Sequence, residues 1–327
     1  MPSLSKNLIV LCLLALQTLT FDVTVSAQTE TKPEIPRLAN GQPDLQGTWD
    51  FRTITPLQRP EQYGEQAVLS ADEAAEFEIA RQQQLDRDNF TDESATGDYN
   101  EFWYDRGSQI LESFRTSLIT YPPDGRLPEM TEAAQRRAAE VRVAAELNYS
   151  VKARPLSERC IMGFNSGPPM LPSAYNNNVQ LVQTRDFVVI HNEMVHNARI
   201  VKMDTDRHSD TPRKWEGDSI GYWEGDTLVV ETRNFAGPTA FINSSANMEL
   251  LERFWLEDSA TLGYEFTVTD PSRWEDSWTV MFPMVRASEP IYEYACHEGN
   301  YSMAGIMAGW RRQEVEAEVN DRSRSDH

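Results

Sequence analysis

From about residue 178 onward the chain alternates apolar and polar positions in short runs. The runs cover 179–184, 187–202, 218–223, 227–235, 249–256, 261–268, 277–285 and 291–296. Period-two alternation over such lengths is the pattern of half-buried strands. Between the runs lie Glu224-Gly225-Asp226, Glu257-Asp258-Ser259 and Asp270-Pro271, residues that bond their own backbone or tolerate tight bends. Connections this short join antiparallel neighbours. The predicted fold is mainly β: an antiparallel meander that closes as a barrel or curls as a half-barrel.

Upstream the pattern changes. Ser70 with Glu73 makes a capping box that opens a helix running to about residue 86,. Thr131 caps a second helix, rich in Ala, Glu and Arg, that runs to about Leu147,. Residues 87–100 read as an acidic loop, and Tyr121-Pro122-Pro123-Asp124-Gly125 as an irregular turn,. This half carries little apolar sequence of its own, so it is expected to pack on the barrel. The organisation expected is a single β-barrel-like domain over 45–310 with a helical insertion at about 68–148. Residues 28–44 form a Pro-rich linker or arm, and 311–327 a charged tail that frays,. Lys6, the apolar run Leu8 to Leu16 and Val25-Ser26-Ala27 have the order of a secretory signal, placed at 1–27,. A secreted or periplasmic protein is expected. No later segment reaches 18 apolar residues, so membrane insertion is not expected,.

Composition narrows the partners. With 51 acidic against 30 basic residues and a net charge of −21, nucleic acid and anionic membrane surfaces are poor partners. Cys160 and Cys296 are the two cysteines outside the signal. In an oxidising compartment they form one disulfide; the other reading is two buried thiols.

Leu45 to Phe51 reads as an opening strand whose Gly47-x-Trp49 core is similar to that of lipocalin-type barrels, where the Trp plugs the barrel floor. Longer motifs follow: Gly41-Gln42-Pro43-Asp44-Leu45-Gln46-Gly47-Thr48-Trp49, Trp223-Glu224-Gly225-Asp226-Thr227-Leu228-Val229-Val230-Glu231-Thr232 and Glu293-Tyr294-Ala295-Cys296-His297-Glu298-Gly299-Asn300-Tyr301. In these the chain resembles a large family of secreted bacterial proteins to which no activity is assigned. The resemblance spans nearly the whole mature chain and implies an architecture and recurring polar positions, but no chemistry. Glu193, His196 and Arg199 match its pattern.

Residues 188–201 carry the most chemistry. As a metal site, His191, Glu193 and His196 are badly spaced: five residues apart, two helical side chains diverge by about 140°, and on a strand they face opposite ways. Read as one strand, Val188, Ile190, Asn192, Met194 and His196 share an apolar face, with His191, Glu193, Asn197 and Arg199 on the other. His196 and Asn192 are then expected inside the barrel, with Glu193 and Arg199 paired outside. Each polar residue has a plain structural reading, a satisfied buried histidine above all. The functional reading makes His196 the proton carrier.

A second cluster, Glu293, Tyr294, His297 and Glu298, closes the last expected strand; bonded cysteines would pin it beside the loop 163–169. Trp223, like the other tryptophans, is core or a ligand contact. Dinucleotide and P-loop motifs and Cys-x-x-Cys are absent from the sequence,. The sequence therefore points to a protein that binds a small apolar or aromatic organic molecule and needs no cofactor. Acid–base catalysis of the lyase, isomerase or hydrolase kind would use His196, Glu193, His297 and Glu298, with Asn192, Arg199, Trp223, Glu293 and Tyr294 holding the ligand. The alternatives are a non-catalytic binding protein of the cell envelope and a structural protein with no cavity.

Overall fold

The computed structural model describes residues 35–89, 100–146, 151–205, 213–237, 241–242 and 244–325; the expected signal, 1–27, lies outside them. In chain order the elements are β1 (Gly47–Asp50), α1 (Ala71–Leu85), β2 (Ile119–Tyr121), α2 (Glu132–Glu146), β3 (Asn178–Gln183), β4 (Phe187–Asn192), β5 (Ala198–Met203), β6 (Asp218–Glu224), β7 (Thr227–Arg233), β8 (Glu249–Leu256), β9 (Thr261–Thr269), β10 (Trp278–Arg286) and α3 (Ser302–Ser325).

β3 to β10 neighbour one another in order, and β1 lies between β3 and β10. The pairs Trp49↔Arg286 and Asp50↔Val285 close nine strands into a barrel. β2 occupies another stretch of β10, through Thr279↔Tyr121 and Val280↔Ile119. The mainly β closed barrel expected from the alternation is therefore the fold, with helices and loops packed outside it. One seam departs from a pure antiparallel meander. β5 and β6 run parallel, with Val201 opposite Ser219,.

The interior is filled. Along each strand alternate side chains turn inward and lose nearly all contact with water: Leu228 and Val230, Leu250 and Phe254, Tyr264 and Phe266, Val280 and Phe282,. Aromatic rings meet at tilted or edge-on angles, with Phe254 and Tyr264 at 4.8 Å and Tyr264 and Phe282 at 5.2 Å between centroids,. Trp49 is fully buried, donates its Nε1 hydrogen to Leu45 O at 2.9 Å and carries the Arg286 guanidinium 4.2 Å above its ring. Gly47 makes room for that arginine. A Cβ there would stand 2.3 Å from Arg286 Nη1, and its φ of +130° suits glycine alone,.

α1 opens on the expected capping box: Ser70 Oγ accepts from Glu73 N, and Glu73 Oε2 accepts from Ser70 N at 2.7 Å. It buries only Ala74 and Phe77, against Ile54, Leu69 and Ile110, in a small core separate from the barrel's.

Two expectations are corrected. The run 187–202 is two strands, β4 and β5, that pair with each other through Val188↔Val201 and Ile190↔Arg199. The run 291–296 is not a strand. The helix α3 runs on through residues 311–325 of the charged tail.

Candidate functional site

Between β4 and β5 the chain turns at Glu193–Asn197, through one 3-10 turn over Met194–His196. Val195 and His196 take φ of 56° and 42°, left-handed values that cost a β-branched residue strain. The reversal shifts strand parity by one. Before the turn the even positions 188, 190 and 192 are buried; after it, the odd positions 199 and 201 are. The inside–outside assignment made on one continuous strand is therefore reversed for three of its four polar members, Asn192 alone keeping its place. His196 is exposed, while Glu193 and Arg199 are buried.

At the turn, Glu193 accepts from Asn178 Nδ2 at 2.6 Å and from Tyr292 N at 3.3 Å. His196 Nδ1 lies 3.1 Å from Tyr294 O. A carbonyl can only accept, so in the neutral ring Nδ1 carries the proton and Nε2 is left as the acceptor. His196 N donates to Glu193 O at 3.1 Å, but among the described residues no hydrogen bond joins the two side chains. Asn192 donates to Ser166 O at 2.9 Å. Asn197 accepts from Gly163 N and Ser166 Oγ, both at 2.9 Å, and donates to Glu216 at 3.0 Å. The turn is thus tied to the loop 163–169 by amides.

The segment carrying Glu293, Tyr294, His297 and Glu298 does come to this turn, as the two contacts at Tyr292 N and Tyr294 O show. Cys160 and Cys296 are bonded, with their Cα atoms 5.7 Å apart, so the segment is held at the loop that Asn197 anchors. The bond is consistent with an extracellular or periplasmic location. Glu293, His297 and Glu298 are exposed and Tyr294 is half-buried. Glu293, Tyr294 and Glu158 border a shallow cavity of about 380 Å³ beside the disulfide. Among the described residues no group of three His, Cys, Asp or Glu side chains is placed to hold a metal ion.

Arg199 and Trp223 lie elsewhere. Arg199 points into the barrel, where its two terminal nitrogens grip the Glu252 carboxylate, one at 2.9 Å, and Nη1 also donates to Thr232 Oγ1 at 3.2 Å. Tyr264 OH donates to Glu252 Oε1 at 2.8 Å and accepts from Met170 N at 3.2 Å. Burial works against the Arg199 guanidinium, but Glu252 more than offsets it and its pKa is raised. Burial, with Glu252 adding to it, pushes the Tyr264 pKa well above the usual phenol range,. Trp223 is half-buried near the far end of β6, beyond Gly221, which pairs with Met203 at the end of β5. It is remote from the β4–β5 turn.

A large concave surface lies outside the barrel. A cleft of about 1190 Å³ runs between the outer wall of β8–β10 and the segment 101–115. Trp255, Met281, Pro283 and Val285 form its barrel side. Trp255 is opposite Gly263 in the sheet, and a Cβ on that glycine would stand 2.1 Å from the indole, so the glycine lets the ring lie against β9. A second cavity, of about 360 Å³, shares Thr53, Tyr104 and Arg106 with the cleft and reaches the end of α1. Sequence reasoning missed both. Their residues come from segments far apart in the chain, and the only available signal was the outward Trp255.

Among the described residues no helix is long and apolar enough to cross a membrane. Neither a protein-family model nor a curated protein matches the chain.

Proposed function

We propose that this chain is a secreted or periplasmic protein that binds a small apolar or aromatic organic molecule, and that the ligand lies against the outside of the barrel rather than within it. The observation that carries the reading is the cleft of about 1190 Å³, whose barrel side is Trp255, Met281, Pro283 and Val285 and whose other lining includes charged groups such as Arg52, Asp105, Arg115 and Asp258. Ligand sites are concave and largely apolar, with a few convergent polar groups. The barrel interior offers no such space, being filled with aromatic rings and a closed ion-pair network. The motif resemblance to secreted bacterial proteins and the disulfide support the compartment.

A neutral fluorescent aromatic amine, N-phenyl-1-naphthylamine, tests the site. Saturable binding to the wild type is expected, with at least about a tenfold loss in Trp255→Ala, the equivalent of 1.4 kcal/mol. Circular dichroism checks that the variant is folded. Equal binding by the variant, or none by the wild type, would sink the reading.

A second reading rests on the Nδ1 contact of His196. A backbone carbonyl that fixes one ring nitrogen leaves the other oriented to take a proton. On this reading the turn, with Glu193, Glu293, His297 and Glu298 about it, performs cofactor-free acid–base chemistry. Products of incubated candidate substrates would be followed by mass spectrometry. His196→Ala is expected to lower turnover by about 10²–10⁴; a folded variant with full turnover would remove His196 from the chemistry.

A further inference from the structure

We infer that the cavity of about 360 Å³ at the end of α1 is a site for a compact organic carboxylate, whose charge meets Arg81 and Arg106 and whose body rests on apolar walls. The inference concerns a different cavity from the cleft and does not depend on the cleft being occupied.

Charge is the first argument. The chain carries 51 acidic and 30 basic residues, yet the residues lining this cavity include Arg81, Arg87 and Arg106 and no Asp or Glu. In so acidic a protein, a lining with cations alone is the reverse of the average surface.

The second argument is how differently the two central arginines are held. Arg106 is fixed: Nη1 donates to Leu85 O at 2.8 Å and to Glu101 Oε1 at 3.0 Å, and its guanidinium lies 4.3 Å from the Tyr104 ring centroid. Arg81 has one side-chain partner, the neutral amide of Gln84 at 2.7 Å. Its Nε is shielded from water without an acceptor, and among the described residues it forms no ion pair. Burial, and then the charge of Arg106, pull the Arg81 pKa down. Two neighbouring cations, of which Arg81 has no counter-charge among the described residues, make a place where an anion gains from both.

Size and lining select the anion. The volume is at the small end of the range for ligand sites, about 300–1,000 Å³, which suits a compact body rather than a polymer. Ile54, Leu57, Leu85, Leu118 and Leu171 supply apolar surface that an inorganic oxyanion would not use.

Calorimetry on the full chain at constant ionic strength tests this with three probes: benzoate, the neutral benzamide, and sulfate. Benzoate is expected to bind saturably, with benzamide and sulfate each weaker by at least about tenfold. Arg81→Gln is expected to lose at least about tenfold in benzoate affinity. Without ligand, the same variant should melt no lower than the wild type, because it removes a repulsion. Trp255→Ala should bind benzoate normally, which separates this site from the cleft. The inference is overturned if benzamide or sulfate matches benzoate, or if Arg81→Gln binds as well as the wild type.

Discussion

Arg199 and Arg81 are both arginines drawn away from water, and the protein treats them in opposite ways. Arg199 is fully buried, gripped by Glu252 through two hydrogen bonds and backed by Thr232 and Tyr264. Its guanidinium is held more firmly protonated than usual. Arg81 is half-buried and has only an amide partner among the described residues, and burial, then the charge of Arg106, weakens its protonation. A charge whose neighbours complete it serves the fold. A charge left incomplete at the edge of a cavity marks a place where something else can complete it.

The sharpest way to break this contrast is to make Arg199 resemble Arg81. Glu252→Gln leaves a buried guanidinium without its counter-charge and is expected to cost about 3–5 kcal/mol in chemical denaturation. Replacing both members, Arg199→Met with Glu252→Leu, should return stability close to that of the wild type, because an apolar pair of similar size needs no compensation. If Glu252→Gln costs under about 1 kcal/mol, the network is not the closed unit described.

At the β4–β5 turn the tie is covalent. Cys160→Ser should lower stability by about 2–5 kcal/mol and raise hydrogen exchange at Tyr292 N, whose acceptor is Glu193. Unchanged exchange there would mean that the segment docks without the disulfide.

Alkaline pH separates the interior from the surface by titration. Tyr264 has a folded-state pKa above its unfolded value, so the stability it contributes is complete below the unfolded pKa of about 10. It is lost as pH rises toward the folded value, at up to about 1.4 kcal/mol per pH unit. Denaturation midpoints should therefore fall above about pH 10, and Tyr264→Phe should flatten that fall. The smallest expected effect is at exposed His196, where alanine should change stability by less than about 0.5 kcal/mol.

The strands β6 to β10 and both helical caps were legible because their signals are local. Glu224-Gly225-Asp226 bends where such residues bend, and Ser70 with Glu73 caps where a capping box caps. The β4–β5 hairpin was not legible. Its turn is Glu193-Met194-Val195-His196-Asn197, in which a valine and a histidine take the left-handed conformation that turn rules reserve for Gly and Asn. An apolar run through such a turn reads as one long strand, and one error of parity exchanged the fates of His196 and Arg199. The segment 291–296 alternates like a strand but gives Tyr292 N to a buried carboxylate instead of a ladder. The Arg81 cavity was beyond reach for another reason: its walls come from residues 53–57, 81–87, 104–106 and 171–174, and only tertiary folding assembles them.

The pairing of Trp49 with Arg286 sets an order of events during synthesis. One side of β1 stays without its closing neighbour until β10 has left the ribosome, since β10 is the last strand made. Open strand edges invite pairing with other chains, and shortness is one of the ways proteins limit that hazard. β1, which waits longest for its closing partner, has four residues, fewer than any other strand of the barrel.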